Sequence, residues 1–243
     1  MNRPAYSDSN RAYRQSVSPQ DRETAYRVVV EESDLWIVAS SDLREAIALE
    51  LTRLRADLRA WILLHPEFRA SLVPLPEPEL APDIVLRMYR AASIAGVGPF
   101  AAVAGAVAQM ITERFCRESP EIIVENGGDT YMYSSRERRV GLLVDPTGQA
   151  LLSVLVKPGE FPVSFCASSA RIGHSLSLGN ADLVVVRSTD GALADACATA
   201  LANRLQQAGD IPEMIRYAQT LPIDGLFAQC DGKIALWGKM ELC

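Results

Sequence analysis

The hydrophobic pattern of the first half of the chain predicts a strand pair followed by helices. Apolar residues in 26–40 (YRVVVEESDLWIVAS) form two short runs around a polar turn, which is typical of a β-hairpin. Residues 42–65 carry Leu and Ile at helical spacing. A proline-rich connector at 73–83 precedes a helix over 83–95. Pro99 then suits the first position of a glycine-punctuated helix, where its missing N–H is not needed.

The second half changes to short strands between turn residues. Residues 121–187 are rich in Val, Ile and Leu. An Ala-rich stretch at 191–208 predicts a helix that Gly209 ends as a C-terminal cap, and a shorter helix follows near 212–220. A hairpin over residues 231–232 closes the chain. Strands and helices occur in blocks, so the sequence predicts an α+β fold with mixed sheets packed against Ala/Gly-rich helices.

Composition narrows the classes of partner. The 243 residues carry a net charge of −6, with no Lys/Arg cluster, so neither nucleic acid nor an anionic membrane is expected as a partner. No apolar run is long enough to span a bilayer, and we expect a soluble, cytoplasmic protein. Residues 1–24 are polar and predict a flexible N-terminal arm, followed by a single domain over 25–243. Two histidines exclude a His-rich metal centre, and the five scattered cysteines are typical of reduced thiols.

The stretch EIIVENGGDTYMY contains the first candidate site. Asn126, Gly127, Gly128 and Asp129 lie between two apolar runs, and an Asn-Gly pair there is a strong hairpin signal. Four turn-type residues exceed what a two-residue turn needs, and paired glycines expose N–H groups that suit an anion. Both interpretations stay open, and we favour a ligand-binding turn.

The glycine-punctuated helix is the second candidate. Gly96 and Gly98 precede its start, where free N–H groups and the helix dipole favour an anion. Ala101, Gly105 and Gln109 recur every four residues and leave one face nearly bare. That face suits either close helix packing or a ligand.

The Ala-rich helix carries the third candidate. Asp195, Thr199 and Asn203 are spaced i, i+4 and i+8, so they share one face. A carboxylate and a hydroxyl one turn apart are hard oxygen ligands for Mg²⁺. The alternative is that Asp195 favours the positive first turn of its helix while Thr199 bonds back to the backbone.

His174 is the one plausible general acid/base of the chain, with Ser168, Ser169 and Ser175 nearby in sequence. No G-x-S-x-G nucleophile elbow is present, so a serine hydrolase is not expected. The alternative is a hydrogen-bonded histidine at a strand edge among turn serines.

Several motifs in order carry a family resemblance: HPEF, GVGPFAAVAGAVAQ, VENGGD, GHSLSLGNADLVVV and LADACATALANR. From about residue 26 to the end, the chain resembles an uncharacterised ApbE-like family, a relative of the FAD:protein FMN transferases. The resemblance implies an ApbE-like (T-fold-like) arrangement of mixed sheets and Ala/Gly-rich helices.

The resemblance also implies site roles. Gly127, Gly128 and Asp129 match a turn at the FAD site of the transferases. We expect Asn126, Gly98, Gly105 and Ser169 to bind the cofactor as well. Asp195 and Thr199 match a pair that holds Mg²⁺, and His174 stands where the transferases have a histidine. The implied reaction moves the FMN phosphoryl group of FAD to a protein Ser or Thr hydroxyl and expels AMP.

The chain also departs from the transferase pattern. Ala104 and Gln109 replace a Lys and an Asp, Ala170 replaces a glycine, and Ser175 follows His174 without an Asp-Pro pair. Three functions therefore remain open: FMN transfer with FAD or FMN and Mg²⁺, non-catalytic binding of a phosphorylated small molecule, and an enzyme acting on an unrelated metabolite. A homodimer also stays open, and nothing in the chain requires one.

Overall fold

A computed structural model describes residues 19–145, 150–169 and 179–243. The strands are β1 (Thr24–Val30), β2 (Ser33–Ala39), β3 (Ile122–Asn126), β4 (Asp129–Tyr133), β5 (Arg138–Asp145), β6 (Ala150–Val156), β7 (Val163–Ser168), β8 (Leu183–Ser188), β9 (Gly225–Cys230) and β10 (Lys233–Gly238). The helices are α1 (Arg44–Leu64), α2 (Glu67–Ala70), α3 (Asp83–Ala95), α4 (Val103–Phe115), α5 (Gly191–Asn203) and α6 (Ile211–Ala218).

Eight strands form one antiparallel sheet, in the order β1-β2-β3-β4-β7-β8-β9-β10. The β5–β6 pair forms a separate two-stranded sheet. In sequence it lies between β4 and β7, which are neighbours in the large sheet. The predicted hairpins β1–β2 and β9–β10 are present. The helix expected to begin at Pro99 starts instead as a 3-10 turn, Pro99–Ala102, which leads into α4. The predicted α+β class is confirmed.

The two faces of the large sheet have different cover. On one face, α1, α3, α4 and α5 bury the larger core, to which β3 contributes Ile122 and Val124. On the other face, the β5–β6 pair covers a smaller core that includes Ile123, Met132 and Phe165. Because side chains alternate along a strand, each central strand serves both cores, and so its run is almost wholly apolar.

The helix predicted over residues 191–208 is shorter in the structure. It ends at Asn203, and Gly209 lies in a separate 3-10 turn rather than at a helix cap. The segment before β8 crosses the helix end: a Cβ on Gly179 would lie 2.0 Å from the Ala202 carbonyl oxygen. The Asn180 N–H donates to the Leu205 carbonyl at 2.7 Å. The chain before β8 thus packs across the end of α5 and binds the segment that follows it, a contact that local sequence does not reveal.

Among the described residues, no single helix is long and apolar enough to cross a membrane. By length and composition alone, α3 together with the segment Pro99–Phe115 passes as a pair, but the two are bent by 105° at their break. Most of the apolar side chains of α3 and α4 lie in the larger core.

Candidate functional site

The turn between β3 and β4 is a two-residue hairpin turn. Asn126 and Asp129 are register partners, and Gly127 and Gly128 between them have φ of 69° and 109°, which only glycine adopts without strain. The Gly128 N–H donates to Glu125 Oε1 at 2.7 Å. The hairpin interpretation is therefore present in the structure, and one of the N–H groups expected to attract an anion already binds a carboxylate of the chain.

Asp129 begins β4 and is 6% exposed. Its Oδ1 accepts a hydrogen bond from the Ala167 N–H of β7 at 2.9 Å, so the side chain continues the hydrogen-bond ladder where β4 starts. By strand alternation it shares a face with Tyr131, whose side chain lies in the helix-side core. The thiol of Cys166 is a further partner on this face.

Asp195 reaches this region from α5. Its Oδ2 accepts hydrogen bonds from the N–H groups of Ala104 and Gly105, at 3.0 and 2.9 Å. Asp195 therefore occupies the N-terminus of α4, where the partial positive charge of the helix favours an anion. The anion at the N-terminus of α4 is thus the Asp195 carboxylate of the chain itself. The turn is fastened to the same place, because Asn126 Nδ2 donates to the Ala104 carbonyl at 3.2 Å.

Gln109 of α4 caps the N-terminus of α5, just as Asp195 of α5 caps the N-terminus of α4. Its Oε1 accepts from the N–H groups of Gly191 and Ala192, at 2.8 and 3.4 Å. We call this arrangement, in which each helix caps the start of the other, the reciprocal cap. It requires two glycines at the crossing, since a Cβ on Gly105 would lie 2.1 Å from the Gly191 carbonyl oxygen.

The two carboxylates that meet here influence each other. Burial raises the pKa of Asp129 well above its usual value, and the nearby Asp195 carboxylate raises it further. Burial raises the pKa of Asp195 to about 7, against the effect of its two N–H donors. Among the described residues, the hydrogen-bond donors to both carboxylates are neutral: backbone N–H groups and the Cys166 thiol. A cation between them would relieve the repulsion.

The predicted face of α5 is the accessible face of that helix. Asp195, Thr199 and Asn203 are partly exposed, while every other position from 191 to 202 is buried. Within the described part of the chain, the Thr199 hydroxyl makes no bond back to the helix, whereas the Thr112 hydroxyl donates to the Ala108 carbonyl at 2.9 Å. Thr199 is thus available to a ligand.

A cavity of about 110 Å³ lies on the other side of the glycine turn, between the large sheet and the β5–β6 pair. It is mainly apolar, and its lining includes Gly127, Gly128, Leu142, Phe165, Ser168 and Ser169. The Ser169 hydroxyl donates to the Asp182 carbonyl at 2.6 Å. Gly128, which lines this apolar cavity, is therefore the residue directly before Asp129 of the carboxylate pair.

The remaining predicted residues lie apart from this centre or outside the described chain. Gly98 packs against the segment after α2, where a Cβ would lie 1.8 Å from the Ser71 carbonyl oxygen. Gly96 ends α3 in a left-handed conformation with φ of 75°. His174 lies outside the described residues, and so does Ser175. Within the described ranges, no cluster of three or more His, Cys, Asp or Glu could hold a metal.

Sequence reasoning missed Gln109 as a structural residue. Gln109 was expected to lie on a bare helix face and to depart from a family pattern. Its side chain instead joins α4 to the start of α5. The i, i+4 spacing with Gly105 was the available signal, because a side chain one turn beyond a glycine contact can reach the partner helix.

The fold and the site together define an ApbE-like α+β protein: an antiparallel sheet with small-residue helices that cross beside a Gly-Gly-Asp turn. The chain belongs to the family described as "AbpE bacteria", which matches residues 14–221. Its relatives include UPF0280 proteins of Methanocella arvoryzae (32% identical, covering 90% of both chains) and of Methanopyrus kandleri (39% identical, covering 77% of this chain and 76% of the relative).

Solved structures agree on the fold. The flavin transferase ApbE of Vibrio cholerae has a TM-score of 0.52 at 11% identity, covering 89% of this chain and 97% of that one. The flavinyl transferase ApbE of Pseudomonas stutzeri, in its apo form, has a TM-score of 0.55 at 11% identity, covering 90% and 95%. The ApbE protein of Thermotoga maritima has a TM-score of 0.55 at 12% identity, covering 89% and 97%.

Proposed function

We propose that the protein binds a flavin nucleotide, or a related phosphorylated ligand, together with Mg²⁺. Asp129, Asp195 and Thr199 would hold the cation. This set is small, but Mg²⁺ commonly takes one or two carboxylates and completes its octahedron with waters and ligand phosphates. The FAD and FMN predicted from the family resemblance are the first ligands to test.

One observation carries the proposal: the buried carboxylate of Asp129 at the glycine turn and the partly buried one of Asp195 on α5 come together at Ala104, with neutral donors around them. Two such groups cannot both be ionised at low cost without a cation nearby. The Thr199 hydroxyl on the accessible face of α5 adds a third oxygen. These groups fit a hard divalent ion better than a soft one.

The rest of a nucleotide would use the apolar cavity beyond the glycine turn. Its lining by Phe165, Leu142 and glycine backbone suits a flat aromatic ring. The turn lies between ring and cation, so the phosphates of the ligand would pass it. Gly127 and Gly128 have no side chains to obstruct this path.

In the transferase version of this function, a protein Ser or Thr hydroxyl attacks the FMN phosphorus of FAD. The new O–P bond forms as the bond to AMP breaks, and the hydroxyl proton passes to a base, for which His174 is the candidate. The cation would neutralise charge on the pyrophosphate. The side chain of Gln109 is committed to the reciprocal cap, which favours ligand binding without transfer as the second candidate.

Asp195→Asn tests the cation site. The amide oxygen can still accept the N–H bonds of Ala104 and Gly105, so the fold should keep its melting temperature while the charge is lost. We expect Mg²⁺-dependent affinity for FAD, FMN or ADP, measured by calorimetry, to fall at least about tenfold. Asp190→Asn is the matched control, since Asp190 caps α5 through a bond from Leu193 N that an amide can keep.

Unchanged Mg²⁺-dependent affinity in Asp195→Asn would contradict the metal assignment. No binding of any of the three nucleotides by the unmodified protein would contradict the flavin assignment. Transfer has a separate readout: incubation with FAD and a Ser/Thr flavinylation peptide should add the mass of one FMN if the protein is a transferase, and nothing if it is a binding protein.

A further inference from the structure

A buried hydroxyl close to the Asp129 carboxylate has no hydrogen-bond partner in the described part of the chain. Ser168, the last residue of β7, is 4% exposed. Its Oγ makes no hydrogen bond within the part of the chain that the structure describes. Buried polar groups are nearly always hydrogen-bonded, because an unsatisfied one costs free energy. An unpaired hydroxyl at this place is therefore available to an acceptor atom of a ligand.

The position of Ser168 in β7 shows which face of the large sheet its side chain lies on. Cys166, two residues earlier, faces α5, because its Sγ contacts the Gly191 carbonyl oxygen at 3.6 Å. Side chains repeat every second residue along a strand, so the Ser168 side chain faces the same side, as does its register partner Val184; the residue also borders the cavity because it ends the strand. Between them, the Ala167 N–H binds Asp129. Ser168 is thus one residue beyond the contact of Asp129, at the end of the strand that borders the cavity.

Three of the neighbouring N–H donors are already in use. Gly128 N–H binds Glu125, and the N–H groups of Ala104 and Gly105 bind Asp195. A phosphate offers acceptors only and would meet two carboxylates here, so it needs a neutral donor as well as the cation. Ser168 has a free O–H to donate.

We infer that Ser168 is a binding residue whose hydroxyl donates to a phosphate oxygen of the ligand. This inference rests on the proposed function and adds to it a specific contact. Ligand binding would supply the acceptor that this hydroxyl lacks within the described chain. Such a residue lowers the stability of the free fold while raising ligand affinity.

The test compares Ser168→Ala with Ser188→Ala. Ser188 is also buried on the helix side of the sheet, but its Oγ accepts the Asp190 N–H at 3.1 Å. Calorimetry with Mg²⁺ and two probes, FAD and inorganic pyrophosphate, gives affinities; thermal unfolding without ligand gives stabilities. We expect Ser168→Ala to raise both dissociation constants about tenfold and to leave the melting temperature equal or higher. Ser188→Ala should lower the melting temperature and keep affinity within about twofold.

Each result decides a different point. Wild-type affinity of Ser168→Ala for both probes would overturn the inference and leave the proposed function intact. A melting temperature as low as that of Ser188→Ala would also overturn it, since the hydroxyl would then serve the fold. Weaker binding of FAD but not of pyrophosphate would place the contact away from the phosphates. If the unmodified protein binds pyrophosphate but not FAD, the flavin proposal falls and pyrophosphate alone decides the role of Ser168; if it binds neither, both fall.

Discussion

Replacing Gly105 by Ala should separate the two helices at their crossing. The new Cβ would lie 2.1 Å from the Gly191 carbonyl oxygen and 2.8 Å from Asp195 Cβ. Backbone oxygen cannot rotate away as a flexible side chain can. Reaching even 3.0 Å requires a shift of 3.0 − 2.1 = 0.9 Å between α4 and α5. A core packed to crystal density has no room for that movement without cost.

The magnitude follows from two contributions. Overpacking of a core costs about 1–3 kcal/mol. The shift also weakens the bonds from the N–H groups of Ala104 and Gly105 to Asp195, and hydrogen bonds to a charged group contribute about 1.5–3 kcal/mol. A total of about 3–5 kcal/mol is expected, which in a protein of this size lowers the melting temperature by roughly 10 °C.

Thermal unfolding followed by circular dichroism measures this loss, with Gly209→Ala as the control. A Cβ on Gly209 would meet nothing closer than 3.9 Å, so that variant should unfold near the wild-type temperature. Ligand affinity should fall in Gly105→Ala as well, because Asp195 moves with α5. Equal melting temperatures for the two variants would refute the close crossing of α4 and α5.

Two further predictions concern residues around this centre. Gln109→Ala should destabilise the protein by about 1–3 kcal/mol in denaturant unfolding, because it leaves buried N–H groups of α5 unpaired; the exposed Gln206→Ala should be near neutral. Burial raises the pKa of Glu121, but hydrogen bonds from Ser134, Ser135 and Arg138 outweigh it and lower that pKa to about 2. Glu121 therefore contributes stability, at most about 3 kcal/mol, that is complete above pH about 4.5 and lost as pH falls towards 2. Glu121→Gln should flatten the fall in unfolding free energy over that pH range.

Local signals in the sequence predicted the parts of the site that depend on near neighbours. The paired glycines gave the β3–β4 turn, and the spacing of Asp195 and Thr199 gave the accessible face of α5. The contacts that join these parts were beyond such signals. Asp195 binds Ala104 across 91 positions, and Gln109 binds Gly191 across 82. Only the packing of α4 against α5 brings these pairs together, and no residue-by-residue pattern specifies it.

The prediction that α5 extends to residue 208 was wrong for the same reason, because a contact between distant segments determines where the helix ends. Its Ala-rich sequence favours helix through residue 208, and Gly209 is a plausible cap. The chain before β8 instead packs across the helix end at Gly179, and the Asn180 N–H binds the Leu205 carbonyl just beyond it. Tertiary contact overrode helix propensity there.

The reciprocal cap fixes the geometry of the proposed site through contacts within the chain. Hydrogen bonds within the chain hold the starts of α4 and α5, the β3–β4 turn and the Asp195 carboxylate in place. Ligand binding at this place would therefore cost the protein little conformational entropy. The contacts also couple positions 105, 109, 191 and 195, so a substitution at any one of them should disturb the packing of the other three.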